Sequence, residues 1–434
     1  MLARRTGKAM LVPGTALLML AAAATALTVG AGAGRAASLP PGNAAQQWDK
    51  IAEDTIVGAG AQQPESFVYL AYVSAAMDRA VDPGERNGQN ADAAVAQAAY
   101  DVLVHYFPAQ AANLSALHDA ALDAVPDGAA KRNGIKYGDL SAARLLRERA
   151  DDGLMTPVAT TSPYSPLGPA PGVWRRTPPA YAPAQTPWLA KVRPFILDSA
   201  DHFTPPPPPS LQSQEWADAF NEVKSLGASN SATRTAGQTA VAVFYAANVP
   251  RQFNLLARTI ATNENLDVPQ SARLFAMVNE VGADALISMM HAKYRFQFWR
   301  PITAIDPGSA TNDGLGPVPG FDDGNPLTVE QPGWAPLLPT PNHPEYPSAH
   351  CTITSAVGEV IARFLGTDAI DIDLEGTANF SVTRHFATVQ DLRTEVENAR
   401  VWAGLHYRFS TLAGVRLGKE VADYDLDHAF HIGS

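Results

Sequence analysis

Cysteine is almost absent from this chain, and its scarcity excludes two classes of structure. Cys351 is the only cysteine in 434 residues, so neither an internal disulfide nor a zinc site built from cysteines can form. Consecutive residues of a helix diverge by about 100°, so Cys351 and the adjacent His350 are not expected to act as a nucleophile pair. We interpret Cys351 as a small buried residue.

Positive charge is also scarce. The formal net charge is −11, and residues 1–36 contribute four positive charges and no negative one, so the remaining chain has a formal charge of −15. A protein this acidic repels nucleic acid and anionic membranes in bulk, and we expect neither as a partner. Beyond residue 36 no helix is apolar enough to span a bilayer, so an integral-membrane lipid phosphatase is not expected.

Residues 1–36 have the three-part pattern of an export signal. Three basic residues within the first eight precede an apolar run at 16–29, and small residues follow it. The apolar run is short and alanine-rich for a membrane span. The pattern predicts an exported protein, extracellular or periplasmic, that uses the general secretory route.

The rest of the sequence predicts an all-α fold. Strand-like alternation is weak, whereas apolar residues recur at helical spacing. We predict two packed helical bundles joined by a long proline-rich segment: a scaffold at 44–152, a wrapping segment at 153–210 and a C-terminal bundle at 211–434. The predicted helices are 45–58, 66–80, 90–106, 110–124, 135–151, 213–226, 232–247, 250–263, 269–299, 347–365, 384–404 and 409–424.

The start of the helix at 347–365 is a candidate anion site. Pro347 is predicted at the first helical position, where its missing N–H has no effect on the helix. The first-turn N–H groups around Ser348 and His350 then face outward without intrahelical partners, at the positive end of the helix dipole. Taken alone, this stretch favours a simpler interpretation, a helix cap beside a surface histidine.

Two further segments carry cations and a second histidine. Lys293 and Arg300 are seven residues apart near the end of the longest predicted helix, so they are expected to share a face and reach one point. Arg400 and His406 are six residues apart, which corresponds to about 600° on a helix. They share a site only if the helix breaks, and we predict that break near Gly404.

Together the three segments resemble the vanadium-dependent haloperoxidases and the acid phosphatases of the type 2 phosphatidic acid phosphatase superfamily. That pattern is Lys-x6-Arg-Pro, then Pro-Ser-Gly-His, then Arg-x5-His. The chain has the corresponding residues in this order at 293–301, 347–350 and 400–406. Its long helical N-terminal half is similar to the haloperoxidases, whereas the compact phosphatases are shorter.

The resemblance implies a site for a tetrahedral oxyanion. In a haloperoxidase the anion is vanadate, which is a cofactor. Hydrogen peroxide binds there as peroxide, which Lys293 polarises. Halide attacks this peroxide to give hypohalous acid, which then reacts with a small organic acceptor. In a phosphatase it is the phosphoryl group of a phosphate ester, with His406 as nucleophile. His406 would bond to vanadium or phosphorus, and His350 would be the acid/base on the opposite side. The residues that would hold the oxyanion are Lys293, Arg300, Ser348, Ala349, Arg400 and His406.

One further residue bears on the halide, and two depart from the pattern. His343 stands where bromide-oxidising members have a histidine and chloride-oxidising members tend to have phenylalanine, although it is equally well interpreted as a loop histidine. Ala349 replaces the usual glycine. Ser410 replaces an aspartate that both families commonly place four residues after the histidine equivalent to His406.

We therefore expect an exported vanadate-dependent haloperoxidase that oxidises halide, bromide rather than chloride, with hydrogen peroxide. The first alternative is a soluble exported acid phosphatase with a histidine nucleophile. The second is a non-catalytic oxyanion-binding protein. The organic substrate and the oligomeric state are left open by the sequence.

Overall fold

The structure is a computed structural model that describes residues 38–81, 88–158, 170–309, 322–377 and 382–431. The predicted export signal lies outside these ranges. The described part is mostly helical, which confirms the all-α prediction. Its α-helices are α1 (Ala44–Gly58), α2 (Gln63–Ala80), α3 (Ala91–Tyr106), α4 (Ala111–Asp123), α5 (Ala129–Arg149), α6 (Gln214–Leu226), α7 (Ala236–Phe244), α8 (Val249–Asn263), α9 (Val268–Phe296), α10 (Pro301–Ile305), α11 (Ala349–Leu365), α12 (Val389–Trp402) and α13 (Arg408–Asp425).

The longest helix, α9, runs through the protein core. Nearly all of its side chains are buried, and it packs against α2, α8, α11 and α13. A helix that is buried on all sides needs apolar residues around its whole circumference, which α9 has over most of its length. Residues of both predicted bundles join in one continuous apolar core around it. None of the helices in the described ranges combines the length and apolar character needed to cross a membrane.

The prediction that Lys293 and Arg300 lie on one face of a single helix is wrong. Helix α9 ends at Phe296, because Gln297 adopts a left-handed conformation with φ 48°. Arg300 is then the N-cap of α10. The two cations come together because both donate to carbonyl oxygens of the loop at 343–345.

The helix at 347–365 begins later than predicted. Ser348 is the N-cap and its carbonyl accepts the Thr352 N–H at 3.0 Å, so Pro347 lies before the helix and not at its first position. The first turn is also partly enclosed instead of facing outward, because Ser348 and Cys351 are buried while Ala349 and His350 are half-buried. A Cβ added at Gly414 of α13 would lie 2.6 Å from the Ser348 carbonyl oxygen, and one at Gly418 would lie 2.0 Å from that of Thr352, so only glycine permits this close contact of α13 with α11.

The predicted helix at 384–404 is wrong at its N-terminal end. Residues Thr383–Phe386 form a short strand, β2, that pairs antiparallel with β1 (Ile372–Glu375). Helix α12 starts only after Thr388, which forms a capping box with Asp391. The reason is local, since the capping box satisfies the first-turn N–H groups of a helix that begins at Val389.

The proline-rich segment lies along α9 and the loop before α11. Trp174 and Trp188 are buried, and the Asp284 carboxylate of α9 accepts the three backbone N–H groups of residues 195–197 at 2.6, 2.8 and 3.0 Å. The Tyr346 hydroxyl donates to the Pro206 carbonyl at 2.6 Å. Residues 159–169 of this segment lie outside the described ranges, and the predicted domain boundaries remain predictions.

Candidate functional site

A cavity of about 90 Å³ lies beside the first turn of α11. One end is polar and contains five of the eight residues predicted for the site. The walls are apolar and come from α2, α8, α9 and α11. The five predicted residues are His343, Ala349, His350, Arg400 and His406, and the apolar wall includes Phe67, Val249, Leu286, Met289, Met290 and Ile353.

Arg300 lies directly behind this polar end and is fully buried. Its NH1 group is 3.2 Å from His406 Nε2, and its NH2 group is 3.0 Å from His343 Nδ1. A guanidinium has only donors, so His406 Nε2 must accept and carries no proton, whereas His343 Nδ1 is also 3.0 Å from the Pro344 carbonyl oxygen. Its remaining bonds go to the carbonyls of His343 and Leu405, at 3.0 and 2.9 Å.

Lys293 is buried beside Arg300. Its Nζ donates to the carbonyl oxygens of Pro344 and Glu345, each at 2.8 Å, so two of its three N–H donors are used. Burial, and secondarily the charge of Arg300, hold the Lys293 pKa well below its usual range. Lys293 is therefore fixed to the loop that precedes α11.

Arg400 reaches the cavity from α12 and shares a partner with His350. Its NH1 group donates to the Tyr245 carbonyl at 3.0 Å, and the same carbonyl interacts with the His350 ring. Arg400 Nε and His350 Nε2 are buried, and no group among the described residues forms a hydrogen bond with either. Two polar atoms at one end of a cavity thus have unused hydrogen-bonding capacity.

The predicted break near Gly404 is present. Helix α12 ends at Trp402, and Gly404 has φ 77°, a conformation that glycine adopts without strain. A Cβ at Gly404 would also lie 2.5 Å from the Gly227 carbonyl oxygen. This turn brings His406 to the same cavity as Arg400.

The first turn of α11 contributes Ser348 and Ala349. The Ser348 hydroxyl is buried beside the Cys351 thiol. Apart from this contact, it has no hydrogen-bond partner within the described part of the chain. Ala349 is the first residue of the helix, where φ is negative, so alanine fits in place of glycine. Cys351 is buried, as expected of a small core residue.

Glu345 is a site residue that sequence reasoning missed. Its side chain is fully buried, and Oε1 lies 2.7 Å from His406 Nδ1 and accepts the Tyr407 N–H at 3.1 Å. Burial raises the pKa of this carboxyl to about 7, and the neighbouring Lys293 and Arg300 oppose that rise. Its only signal in the sequence was an acidic residue in an otherwise proline-rich loop.

The electrostatics of the site are dominated by buried cations. Lys293, Arg300 and Arg400 are 0, 0 and 2% exposed. Burial lowers the pKa of both arginines to about 10. Burial and the three cations also hold the pKa of His406 well below its usual range, as they do for the other two histidines of the site. The arrangement favours the binding of an anion.

Comparisons with known proteins point to one family. A family model described as the VCPO second helical-bundle domain matches residues 273–433, a range that contains every predicted site residue. The vanadium chloroperoxidase of Curvularia inaequalis is 27% identical over 297 residues, which are 52% of this chain and 46% of that protein. The resemblance to the vanadium haloperoxidases is confirmed. The match spans less than half of the length of that relative.

Solved structures share the fold. A bacterial vanadium-dependent iodoperoxidase aligns with a TM-score of 0.71 at 21% identity, over 90% of this chain and 98% of its own. A holo-type bacterial vanadium-dependent chloroperoxidase aligns with a TM-score of 0.68 at 18% identity, over 91% of this chain and 99% of its own. These likenesses establish the helical fold of the haloperoxidases for this chain.

Proposed function

We propose that this protein is a vanadate-dependent haloperoxidase that oxidises halide, preferentially bromide, with hydrogen peroxide to hypohalous acid. One observation carries the proposal. Buried donors that have no hydrogen-bond partner among the described residues surround one end of the cavity, beside three buried cations. We also propose that the protein is exported, on the pattern of residues 1–36, and that a small organic acceptor takes the halogen.

The charge of the site supports an oxyanion as its ligand. Arginine cannot lose its proton in a protein, so burial of Arg300 and Arg400 has to be offset by negative charge. An unpaired buried ion costs several kcal/mol, roughly. Glu345 is the only carboxylate within hydrogen-bonding distance of the described site residues, and it bonds to His406. A multiply charged oxyanion would balance the remaining cations.

The donor set fits vanadate. Arg300, Arg400, the Ser348 hydroxyl and the Ala349 N–H would hold its oxygens, with the third N–H of Lys293. His406 Nε2 is unprotonated, because Arg300 donates to its lone pair, and this lone pair would bond to vanadium in place of the Arg300 N–H. Bound vanadate supplies a Lewis-acidic centre that activates peroxide for the oxidation of halide.

His350 is suited to proton transfer at the cavity. The Tyr245 carbonyl orients its ring, and its Nε2 is free of protein hydrogen bonds in the described structure. The low pKa of the ring keeps it neutral before an anion binds, so it can accept a proton there and release it later. A bound anion would raise this pKa and strengthen its role as a base.

His343 is the residue that favours bromide in this proposal. Its Nδ1 lies 3.0 Å from both Arg300 NH2, which can only donate, and the Pro344 carbonyl, which can only accept, and the ring lines the cavity. The relatives named above are iodo- and chloroperoxidases, so their names do not decide the halide. Replacement of His343 by phenylalanine is expected to lower the ratio of bromide to chloride oxidation.

One assay tests the proposal. The purified protein, with and without added orthovanadate, is tested for peroxide-dependent bromination of a phenolic dye and for hydrolysis of an aryl phosphate. Vanadate-dependent bromination without hydrolysis is the expected result. Hydrolysis that vanadate inhibits would replace the proposal with an acid phosphatase, and vanadate binding without either activity would replace it with an oxyanion-binding protein. The His406→Ala variant should lose all activity.

A further inference from the structure

Glu345 is held at three points in the loop before α11. Its N–H donates to the Phe298 carbonyl at 2.9 Å, and its carbonyl accepts from Lys293 Nζ at 2.8 Å. Its carboxylate contacts His406 Nδ1 at 2.7 Å and the Tyr407 N–H at 3.1 Å. The backbone contacts fix the carboxylate in place independently of the histidine.

The contacts on the two sides of His406 determine its tautomer. Arg300 can only donate, so the Nε2 atom of His406 must accept and is unprotonated. In the neutral ring the proton then lies on Nδ1, which donates to Glu345. Glu345 therefore holds the ring in the orientation in which Nε2 accepts from Arg300, and increases the basicity of Nε2, as a carboxylate does for a metal-bound histidine.

Ser410 explains why this carboxylate comes from the loop. Its side chain is fully buried near Glu345 and lowers the pKa of that carboxyl, although neither the Ser410 hydroxyl nor Glu345 Oε2 forms a hydrogen bond among the described residues. The related families commonly have an aspartate at this position. An aspartate here together with Glu345 would place two negative charges in one buried location, which is unfavourable. A serine at 410 removes that repulsion.

We propose that Glu345 is the positioning residue of His406. From its place in the loop before α11, Glu345 performs the role that an aspartate at position 410 would perform from α13. The proposal rests on the oxyanion site proposed above. Glu345 acts through His406 and, by way of its carbonyl, also orients Lys293. One loop residue thereby couples the second histidine to the cation on α9.

Four variants test this assignment. Glu345→Ala removes the carboxylate, Ser410→Asp adds one at the alternative position, and the double variant exchanges the two. Glu345→Gln keeps the shape and removes the charge, which covers the case in which the alanine variant does not fold. Glu359→Ala is the matched control, because Glu359 is a buried carboxylate of α11 whose partner, Arg393, lies away from the cavity.

The readouts are the affinity for orthovanadate, by calorimetry on the full-length protein, and the ring nitrogens of His406, by ¹⁵N NMR of histidine-labelled protein. Resonances of His406 are those missing from a His406→Gln variant. We expect Glu345→Ala to lose roughly 10- to 100-fold in affinity, and to shift the Nδ1 resonance of His406, because Nδ1 loses its acceptor while Arg300 still donates to Nε2. Ser410→Asp alone should also weaken binding, whereas the double variant should regain most of the affinity. The Glu359→Ala control should retain it.

Two results would overturn the assignment. One is a Glu345→Ala or Glu345→Gln variant with unchanged affinity and an unchanged His406 Nδ1 resonance. The other is a folded double variant that binds no better than Glu345→Ala. Failure of the proposed function gives a different pattern, because a wild-type protein without bromination activity would still show whether Glu345 holds Nδ1 of His406.

Discussion

Two groups of buried charged residues lie along α9, and they differ in the sign of their charge. The first is the site group, Lys293 at the end of α9 with Arg300 and Arg400, all buried around one cavity. The second is the acidic group, Glu280 and Asp284 in the middle of α9 with Asp425 at the end of α13. Both groups are enclosed by the same apolar core.

The acidic group reduces its charge by taking up protons. Burial raises the pKa of Glu280 to about 8 and that of Asp284 to about 6. The pKa of Asp425 is raised well above its usual value by burial and by its two acidic neighbours, and neither of its oxygens has a hydrogen-bond partner in the described structure. Among the described residues no group of three His, Cys, Asp or Glu side chains is arranged to hold a metal ion.

The site group cannot remove its charge in the same way. With a pKa of about 10, the guanidinium groups of Arg300 and Arg400 stay protonated at physiological pH. The comparison therefore shows which buried charges indicate a ligand. A buried carboxyl such as Glu280 can become neutral near physiological pH, whereas buried arginines require an anion from outside when the protein offers too few carboxylates.

The largest expected effect is the difference between substituting Arg400 and substituting another buried arginine of α12. Arg400→Met should abolish vanadate binding and leave the thermal stability of vanadate-free protein unchanged or higher, because it removes an uncompensated buried cation. Arg393→Met is the matched control. Arg393 bonds to Glu359 at 2.5 Å and to Ser355 at 2.9 Å, so its loss should destabilise the protein by roughly 3–5 kcal/mol.

Calorimetric unfolding and vanadate titration of both variants measure these effects. A large loss of stability in Arg400→Met without vanadate would contradict the interpretation that this cation lacks a counter-charge. Normal vanadate binding by that variant would remove Arg400 from the site.

The next effect is stabilisation by the anion itself. Orthovanadate should raise the melting temperature, and inorganic phosphate should raise it less. At a concentration one hundred times its dissociation constant, the bound anion should add about 2.7 kcal/mol to the free energy of unfolding. Glu280→Gln should show the same increase, since the acidic group does not contact the cavity. If no tetrahedral anion raises the melting temperature, the buried cations are not a ligand site.

Much of the fold was predictable because apolar periodicity and helix caps are local signals. The errors arose where a single backbone angle or a local pairing decided the outcome. The left-handed Gln297 ends α9 three residues early, and no residue type at that position announces it. The start of α12 was predictable in principle, since the Thr388–Asp391 capping box is visible in the sequence.

The site was predictable to the extent that its residues lie in spaced motifs. The sequence identified the three cations and the histidines, but it could not identify contacts between distant segments. Glu345 is 61 residues from His406, and the Tyr245 carbonyl is 155 residues from Arg400. Both contacts depend on how α7, α11 and α12 pack, which no short motif specifies.

A smaller effect concerns the pH dependence of the acidic group. Glu280 has a usual pKa of 4.5 and one of about 8 in the folded protein, so between these values the folded state binds more protons than the unfolded state. Stability should therefore fall as pH rises through this window, by up to about 1.4 kcal/mol per pH unit for this one proton. Glu280→Gln should flatten the decline and be the more stable protein at pH 8.

Melting temperatures from pH 5 to 8.5 provide this measurement. The control is Glu359→Gln, which removes the charge of a buried carboxylate paired with Arg393 and leaves the acidic group intact. Equal slopes for wild type and Glu280→Gln would mean that Glu280 is ionised in the folded protein, and the contrast between the two groups would then fail.

The smallest effect is chemical damage to α9 on its cavity side. Met289 and Met290 line the cavity, whereas Met277 lies in the core away from it. If hypobromous acid forms at the site, each thioether that it reaches becomes a sulfoxide, with release of bromide and a proton. We expect mass spectrometry to find a minor fraction of sulfoxide at Met289 and Met290, and none at Met277, after turnover with vanadate, bromide and peroxide. Peroxide without bromide is the control. Equal oxidation of Met277 would show that the oxidant does not originate in the cavity. An oxidant formed there would react with the methionines of the cavity wall before it could diffuse through the apolar core to Met277.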